Sequence, residues 1–108
     1  MDDEFQVSAK ELKRLLDAGA KLHLIDVREP FEFEYCHIRG SKLMPIGQIQ
    51  NHVTELNPAE EYVFYCHIGE RSRRVVNYLR KLGFKKVKNL EGGIDQWSLD
   101  VDPSMPRY

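Results

Sequence analysis

The chain has 108 residues, the usual size of one domain and too short for two units that would each bury a core. Hydrophobic residues make up 42% and charged residues 31%, an ordinary globular composition that leaves little room for long disordered stretches. Sixteen Lys and Arg against seventeen Asp and Glu give a formal net charge of −1, so no nucleic-acid partner is expected and any anion site has to be local.

The opening Met1-Asp2-Asp3-Glu4 lacks the basic segment and apolar run of a signal peptide, and no apolar stretch approaches membrane-spanning length. No membrane partner is expected, and the cytoplasm is the expected location. Ser8-Ala9-Lys10-Glu11 has the form of a capping box, and Leu12, Leu15 and Leu16 follow at helical spacing until Gly19 supplies a stop. Leu22 to Val27 is a short, β-rich, apolar run expected of a strand covered on both faces, with His23 in a structural role. Phe31 to Tyr35 alternates like a half-exposed strand, yet Pro30 with acidic residues close behind is a helix start, and a short helical turn is the preferred reading.

Lys42-Leu43-Met44 is a candidate brief strand, and Ile46, Ile49, Val53 and Leu56 recur at helical spacing until Asn57-Pro58. Tyr62-Val63-Phe64-Tyr65 is the most strand-like window in the chain and runs directly into Cys66. Val75, Val76, Leu79 and Leu82 mark one face of a helix closed by Gly83, which leaves Cys66 to Arg71 as a strand-to-helix loop. Lys86-Val87-Lys88 reads as a further strand and Ile94 to Trp97 as a last short helix. Residues 100–108, with two prolines and no periodicity, read as an extended C-terminal tail of a single domain spanning 1–108. Strands alternating with helices imply an α/β architecture: a central parallel sheet with helices on both faces and ligands beyond the carboxyl ends of the strands.

The loop Cys66-His67-Ile68-Gly69-Glu70-Arg71 occupies that position. Unpartnered backbone N–H groups and the dipole at a helix N-terminus favour a thiolate or a bound anion there. Gly69 permits backbone angles closed to other residues, and Arg71 has a guanidinium fork that suits an oxyanion. The bland alternative is a small buried hydrophobe followed by a solvated arginine. Glycine and arginine at these offsets on a strand-to-helix turn favour the functional reading.

Here the chain resembles the rhodanese family, whose active-site loop has the form CxxGxR, matched by Cys66, Gly69 and Arg71. Leu24-Ile25-Asp26-Val27-Arg28-Glu29 with His37-Ile38-Arg39-Gly40 resembles the family's upstream signature. Asn89-Leu90-Glu91-Gly92-Gly93-Ile94 with Trp97 resembles its closing one. The ending Asp102-Pro103-Ser104-Met105-Pro106-Arg107-Tyr108 is similar to that of rhodanese domains fused to adenylating enzymes of ubiquitin-like sulfur carriers. The resemblance implies a rhodanese-like fold and a sulfurtransferase without a cofactor. Cys66 would take a sulfane sulfur from a small donor such as thiosulfate, hold it as a persulfide and pass it to a thiol, cyanide or a sulfur-carrier protein. His67, Ile68, Gly69, Glu70 and Arg71 would bind the donor, with Asp26 and Arg28 in support.

Two departures stand out. His67 replaces a frequent arginine and carries a full positive charge only when protonated, and Cys36 stands where glycine is usual. A zinc site from Cys36-His37 and Cys66-His67 lacks the usual ligand spacing, so no metal is expected. Cys36 remains a candidate disulfide partner of Cys66 if its loop approaches. The rival enzyme class is the cysteine-dependent phosphatase or arsenate reductase, whose CxxxxxR loop is one residue longer. The rival non-enzyme is a docking module presenting Phe31, Phe33 and Tyr35, against which the retained Cys66 argues.

Overall fold

The computed structural model describes residues 3–108; Met1 and Asp2, which enter the reading of the N-terminus, lie outside them. Five strands form one parallel sheet: β1 (Gln6–Val7), β2 (His23–Asp26), β3 (Lys42–Leu43), β4 (Tyr62–Tyr65) and β5 (Val87–Leu90). Their spatial order is β1-β5-β4-β2-β3. Five helices connect or follow them: α1 (Ala9–Asp17), α2 (Pro30–Tyr35), α3 (Ile49–His52), α4 (Glu70–Lys81) and α5 (Gly93–Asp100). This is the expected α/β class.

Alternation along the central strands fills two cores. Ile25, Phe64 and Cys66 point to one face, where Ile49 of α3 and Val75, Val76 and Leu79 of α4 cover them. Leu24, Val63 and Tyr65 point to the other, against Leu12 of α1 and Ile94 and Trp97 of α5. All four residues of β4 are buried, which is why that window carries no polar alternation.

Local signals explain most boundaries. Ser8 accepts a hydrogen bond from the Glu11 N–H at 3.1 Å, as a capping residue should. At α2, Glu29 and Glu32 cap one another's backbone and Pro30 sits in the first turn. His23 lies at the exposed start of β2, its Nε2 2.5 Å from Glu60 Oε1 and its ring stacked on Tyr62.

Three regions differ from expectation. The segment 46–56 is a relay of a 3₁₀ turn (Ile46–Gln48), α3 and a second 3₁₀ turn (Val53–Glu55); its apolar spacing of three as well as four fits both windings. The last strand starts one residue later than read and continues through Asn89 and Leu90, which pair with Gln6 and Val7 of β1, a two-residue edge too short to show a period. Residues 100–108 are not extended throughout. Asp100 closes α5, the N–H groups of Val101 and Asp102 both donate to Trp97 O, and Met105 N–H donates back to Asp102 O at 3.0 Å.

Candidate active site

β2 and β4 end side by side, with Asp26 in register with Tyr65 and the Val27 N–H donating to Tyr65 O at 3.0 Å. The sequence that follows β2 therefore lies against the loop that follows β4, at the carboxyl edge of the sheet. Cys66 is 1% exposed. Its Sγ receives the Gly69 N–H at 3.1 Å and the Ser72 N–H at 3.4 Å, and Ser72 Oγ lies 3.3 Å away. Ser72 Oγ also bonds Asn89 Oδ1. With a single proton, that hydroxyl donates to a sulfur anion, or donates to Asn89 while accepting from a thiol.

The loop is shaped by two glycines. Gly69 caps α4 at φ +102°, a left-handed conformation that turns its own N–H toward the sulfur. Gly93 opens α5 at φ +62°, and α5 docks its first N–H groups onto the loop: Ile94 N–H on Cys66 O at 2.9 Å and Asp95 N–H on His67 O at 3.0 Å. A Cβ at Gly93 would stand 2.6 Å from Cys66 O and would also collide with His67 O.

Two ion pairs brace this arrangement. Fully buried Arg28 binds Asp26 through Nε and Nη2, donates from Nη2 to Cys36 O at 2.6 Å and from Nη1 to the Tyr108 hydroxyl at 2.9 Å. Burial opposes its charge, but the bonds to Asp26 and Tyr108 outweigh that and hold the guanidinium protonated. Arg71 binds Glu32 in a bidentate pair, Nη1 to Oε1 at 2.7 Å and Nη2 to Oε2 at 3.0 Å. The fork expected to face an oxyanion is therefore occupied by a carboxylate. Burial pushes Glu32 upward, yet donation from Arg71, the Glu29 N–H and Tyr108 holds it at about 2. The pair with Glu32, supported by the nearby Cys66, raises Arg71 in turn.

His67, Ile68 and Glu70 form the outer side of the loop. His67 stacks on Tyr108 with centroids 4.0 Å apart, and its Nε2 is buried without a hydrogen-bond partner among the described residues. Ile68 and Glu70 are exposed. Gly69 and Cys66 lie inside, and Asp26 and Arg28 sit behind the loop. The structure adds residues that sequence reasoning passed over: Ser72, Asn89, Glu32 and Tyr108. In the sequence Glu32 reads only as helix-start charge, Asn89 only as part of a signature, and Tyr108 only as tail; none carries a period that would mark a site.

Cys36 and Cys66 are free thiols lining the cores on opposite faces of the sheet, which disfavours the disulfide. The Cys36 backbone, at φ −163° and ψ 147°, is one any residue adopts, so the departure from glycine causes no strain. Of the aromatic trio on α2, Phe31 and Tyr35 are exposed, while Phe33 stacks on His37 at 3.9 Å. Among the described residues no group of three or more His, Cys, Asp and Glu is arranged to hold a metal. Among the described residues, no helix is long and apolar enough to cross a membrane.

A parallel sheet with a buried cysteine at a strand end, its sulfur facing the backbone donors of a helix N-terminus, defines a class of site, and comparison with known proteins places it. The model of the rhodanese-like domain matches residues 8–100, and the chain belongs to that family. It is 38% identical over 98 residues to the putative sulfurtransferase YtwF of Bacillus subtilis, covering 91% of this chain and 94% of that one. It is 36% identical over 104 residues to the probable adenylyltransferase/sulfurtransferase MoeZ of Mycobacterium tuberculosis, covering 94% of this chain and 26% of that protein. Of several curated relatives the chain spans only 26% to 50% of the length. A crystal structure of a rhodanese-related protein from Thermoplasma volcanium superposes with a TM-score of 0.80 at 30% identity, covering 89% of this chain and 92% of that one.

Proposed function

We propose that this chain is a sulfurtransferase in which Cys66 carries the transferred sulfur as a persulfide. The observation that carries the reading is the set of donors converging on one buried sulfur, from Gly69 N–H and from the N–H and hydroxyl of Ser72. In the first half-reaction the Cys66 thiolate attacks the outer sulfur of a donor such as thiosulfate. The S–S bond breaks and sulfite leaves with the bonding pair, so charge and atoms balance. In the second, a thiol, cyanide or protein acceptor attacks the outer sulfur and the Cys66 thiolate departs.

The donors that meet Sγ in the resting loop are placed to bind the charge of the outer persulfide sulfur. Arg71 supplies positive charge beside the sulfur while staying paired with Glu32. Glu70 opposes an anionic donor, and His67 and Ile68 line its approach. Asp26 and Arg28 act as supports, since neither reaches the sulfur. A sulfur-carrier protein as acceptor rests on the resemblance to rhodanese domains joined to adenylating enzymes, a pairing that MoeZ, a probable adenylyltransferase/sulfurtransferase, also has. Two free thiols suit a reducing compartment such as the cytoplasm. The test is formation of thiocyanate from thiosulfate and cyanide: the protein should turn over and Cys66→Ser should not, whereas a variant at wild-type rate would sink the reading.

A further inference from the structure

The segment after α5 folds back over the loop and is tied down along its length. The Ser98 hydroxyl donates to Met105 O at 2.7 Å, the Cys36 thiol to Pro106 O at 3.7 Å, and Arg107 Nε to Asp95 Oδ1 at 2.8 Å. These ties carry Tyr108 to the flank of the Cys66 loop. Its ring lies nearly parallel to the His67 imidazole, 13° between planes, and meets Tyr35 edge-on at 5.8 Å. Its hydroxyl donates to Glu32 Oε2 at 2.6 Å and accepts from Arg28 Nη1 at 2.9 Å. A single hydroxyl thus joins the buried Asp26–Arg28 pair to the Glu32–Arg71 pair.

The hydroxyl and the ring have separable consequences. Glu32 Oε2 is shared between Arg71 Nη2 and the Tyr108 hydroxyl, while Oε1 accepts from the Glu29 N–H and Arg71 Nη1, so loss of the hydroxyl removes one of two donors to Oε2 and loosens the carboxylate that orients Arg71. A donor would then have to order Arg71 as it binds, which weakens binding without touching the chemical step. The ring, for its part, covers one face of His67, next in the chain to a cysteine that is 1% exposed.

Resting on the sulfur-transfer reading, we propose that Tyr108 is a positioning residue of the site: its hydroxyl holds Arg71 in place through Glu32, and its ring shields the Cys66 loop through His67. Tyr108→Phe keeps the ring and removes the hydroxyl; Tyr108→Ala removes both. Two measurements separate the roles: saturation kinetics with thiosulfate, and the rate at which iodoacetamide alkylates Cys66, followed on the Cys66 peptide so that Cys36 does not contribute. Tyr108→Phe should raise KM for thiosulfate roughly threefold to tenfold with kcat within about twofold. Its Cys66 alkylation rate should stay near wild type, while that of Tyr108→Ala should rise about tenfold as the loop opens. Adding Glu32→Gln to Tyr108→Phe should raise KM by less than the product of the single effects, because both act on the same arginine.

A Tyr108→Phe variant that melts earlier but keeps its KM would make the hydroxyl structural and overturn the positioning role. Equal alkylation rates in wild type and Tyr108→Ala would overturn the shield. If wild-type Cys66 takes no sulfur at all, the sulfur-transfer reading fails and the hydroxyl's role toward a donor fails with it, while the alkylation rates still decide for or against the shield.

Discussion

Arg71 and Glu32 lie 39 residues apart in the chain and meet through two hydrogen bonds, with the carboxylate nearly buried and the guanidinium 29% exposed. The pair ties α2 to the start of α4 and fixes a positive charge beside Cys66. Lysine keeps the charge but cannot make both bonds. Arg71→Lys is expected to raise KM for thiosulfate about threefold to tenfold and to lower stability by ~1–2 kcal/mol. Steady-state kinetics and thermal melts check this, and an unchanged KM with a lowered Tm would confine Arg71 to holding α2.

Glu32 also sets an acid dependence. Held at about 2 in the folded protein, its carboxyl has a folded value below the ~4.3 of an unfolded chain, so the unfolded state binds the proton more readily. The stabilisation is complete above the unfolded value and is lost as pH falls through the folded one. Tm should therefore decline between about pH 5 and pH 2, with Glu32 contributing ~1–3 kcal/mol of that loss. Glu32→Gln should be less stable at pH 7 and show a shallower decline; parallel curves for the two proteins would assign the acid sensitivity elsewhere.

Gly93→Ala tests the docking of α5 on the loop. The added methyl meets the carbonyl oxygens of Cys66 and His67, backbone atoms that cannot swing aside, at a φ that disfavours alanine. A loss of ~2–4 kcal/mol is expected, together with a fall in sulfur transfer as the loop shifts. Retention of both stability and activity would show that α5 adjusts freely against the loop.

The sequence made the strand-to-helix loop legible because its signals are local: an unbroken β-rich run ends at Cys66 and a 3.6-residue apolar period resumes after Arg71. The same holds for α1, whose cap and period lie within one short window. What stayed hidden depends on distant partners. Asn89 lies just past the strand read at 86–88 and enters only through a signature, yet its side chain accepts from the Ser72 hydroxyl. Arg71 reads as an open fork because nothing near it in the chain announces Glu32. Tyr108 follows two prolines in a segment without period, and only the turn at Met105 and the ties of Pro106 and Arg107 bring it to His67. Gly93 was visible as part of a motif, whereas its reason, a helix start pressed against two carbonyls, is tertiary.

Glu70 sits exposed at the first turn of α4, inside a loop that otherwise favours anions. Its charge should weaken thiosulfate binding modestly because solvent screens it. Glu70→Gln keeps shape and hydrogen bonding, and at low ionic strength it should raise kcat/KM for thiosulfate about twofold to fivefold, a gain that shrinks as salt is added. An unchanged or lower value at low salt would place the control of donor affinity elsewhere in the loop.

The central claim is that Cys66 holds the sulfur in transit, and mass spectrometry of protein treated with thiosulfate, with reductant excluded, tests it most directly. The peptide containing Cys66 should gain the mass of one sulfur atom, lose it on addition of cyanide or a thiol, and show no gain in Cys66→Ser, while the peptide containing Cys36 stays unchanged. A Cys66 peptide that never gains sulfur, or a sulfur found on Cys36 instead, would contradict the account.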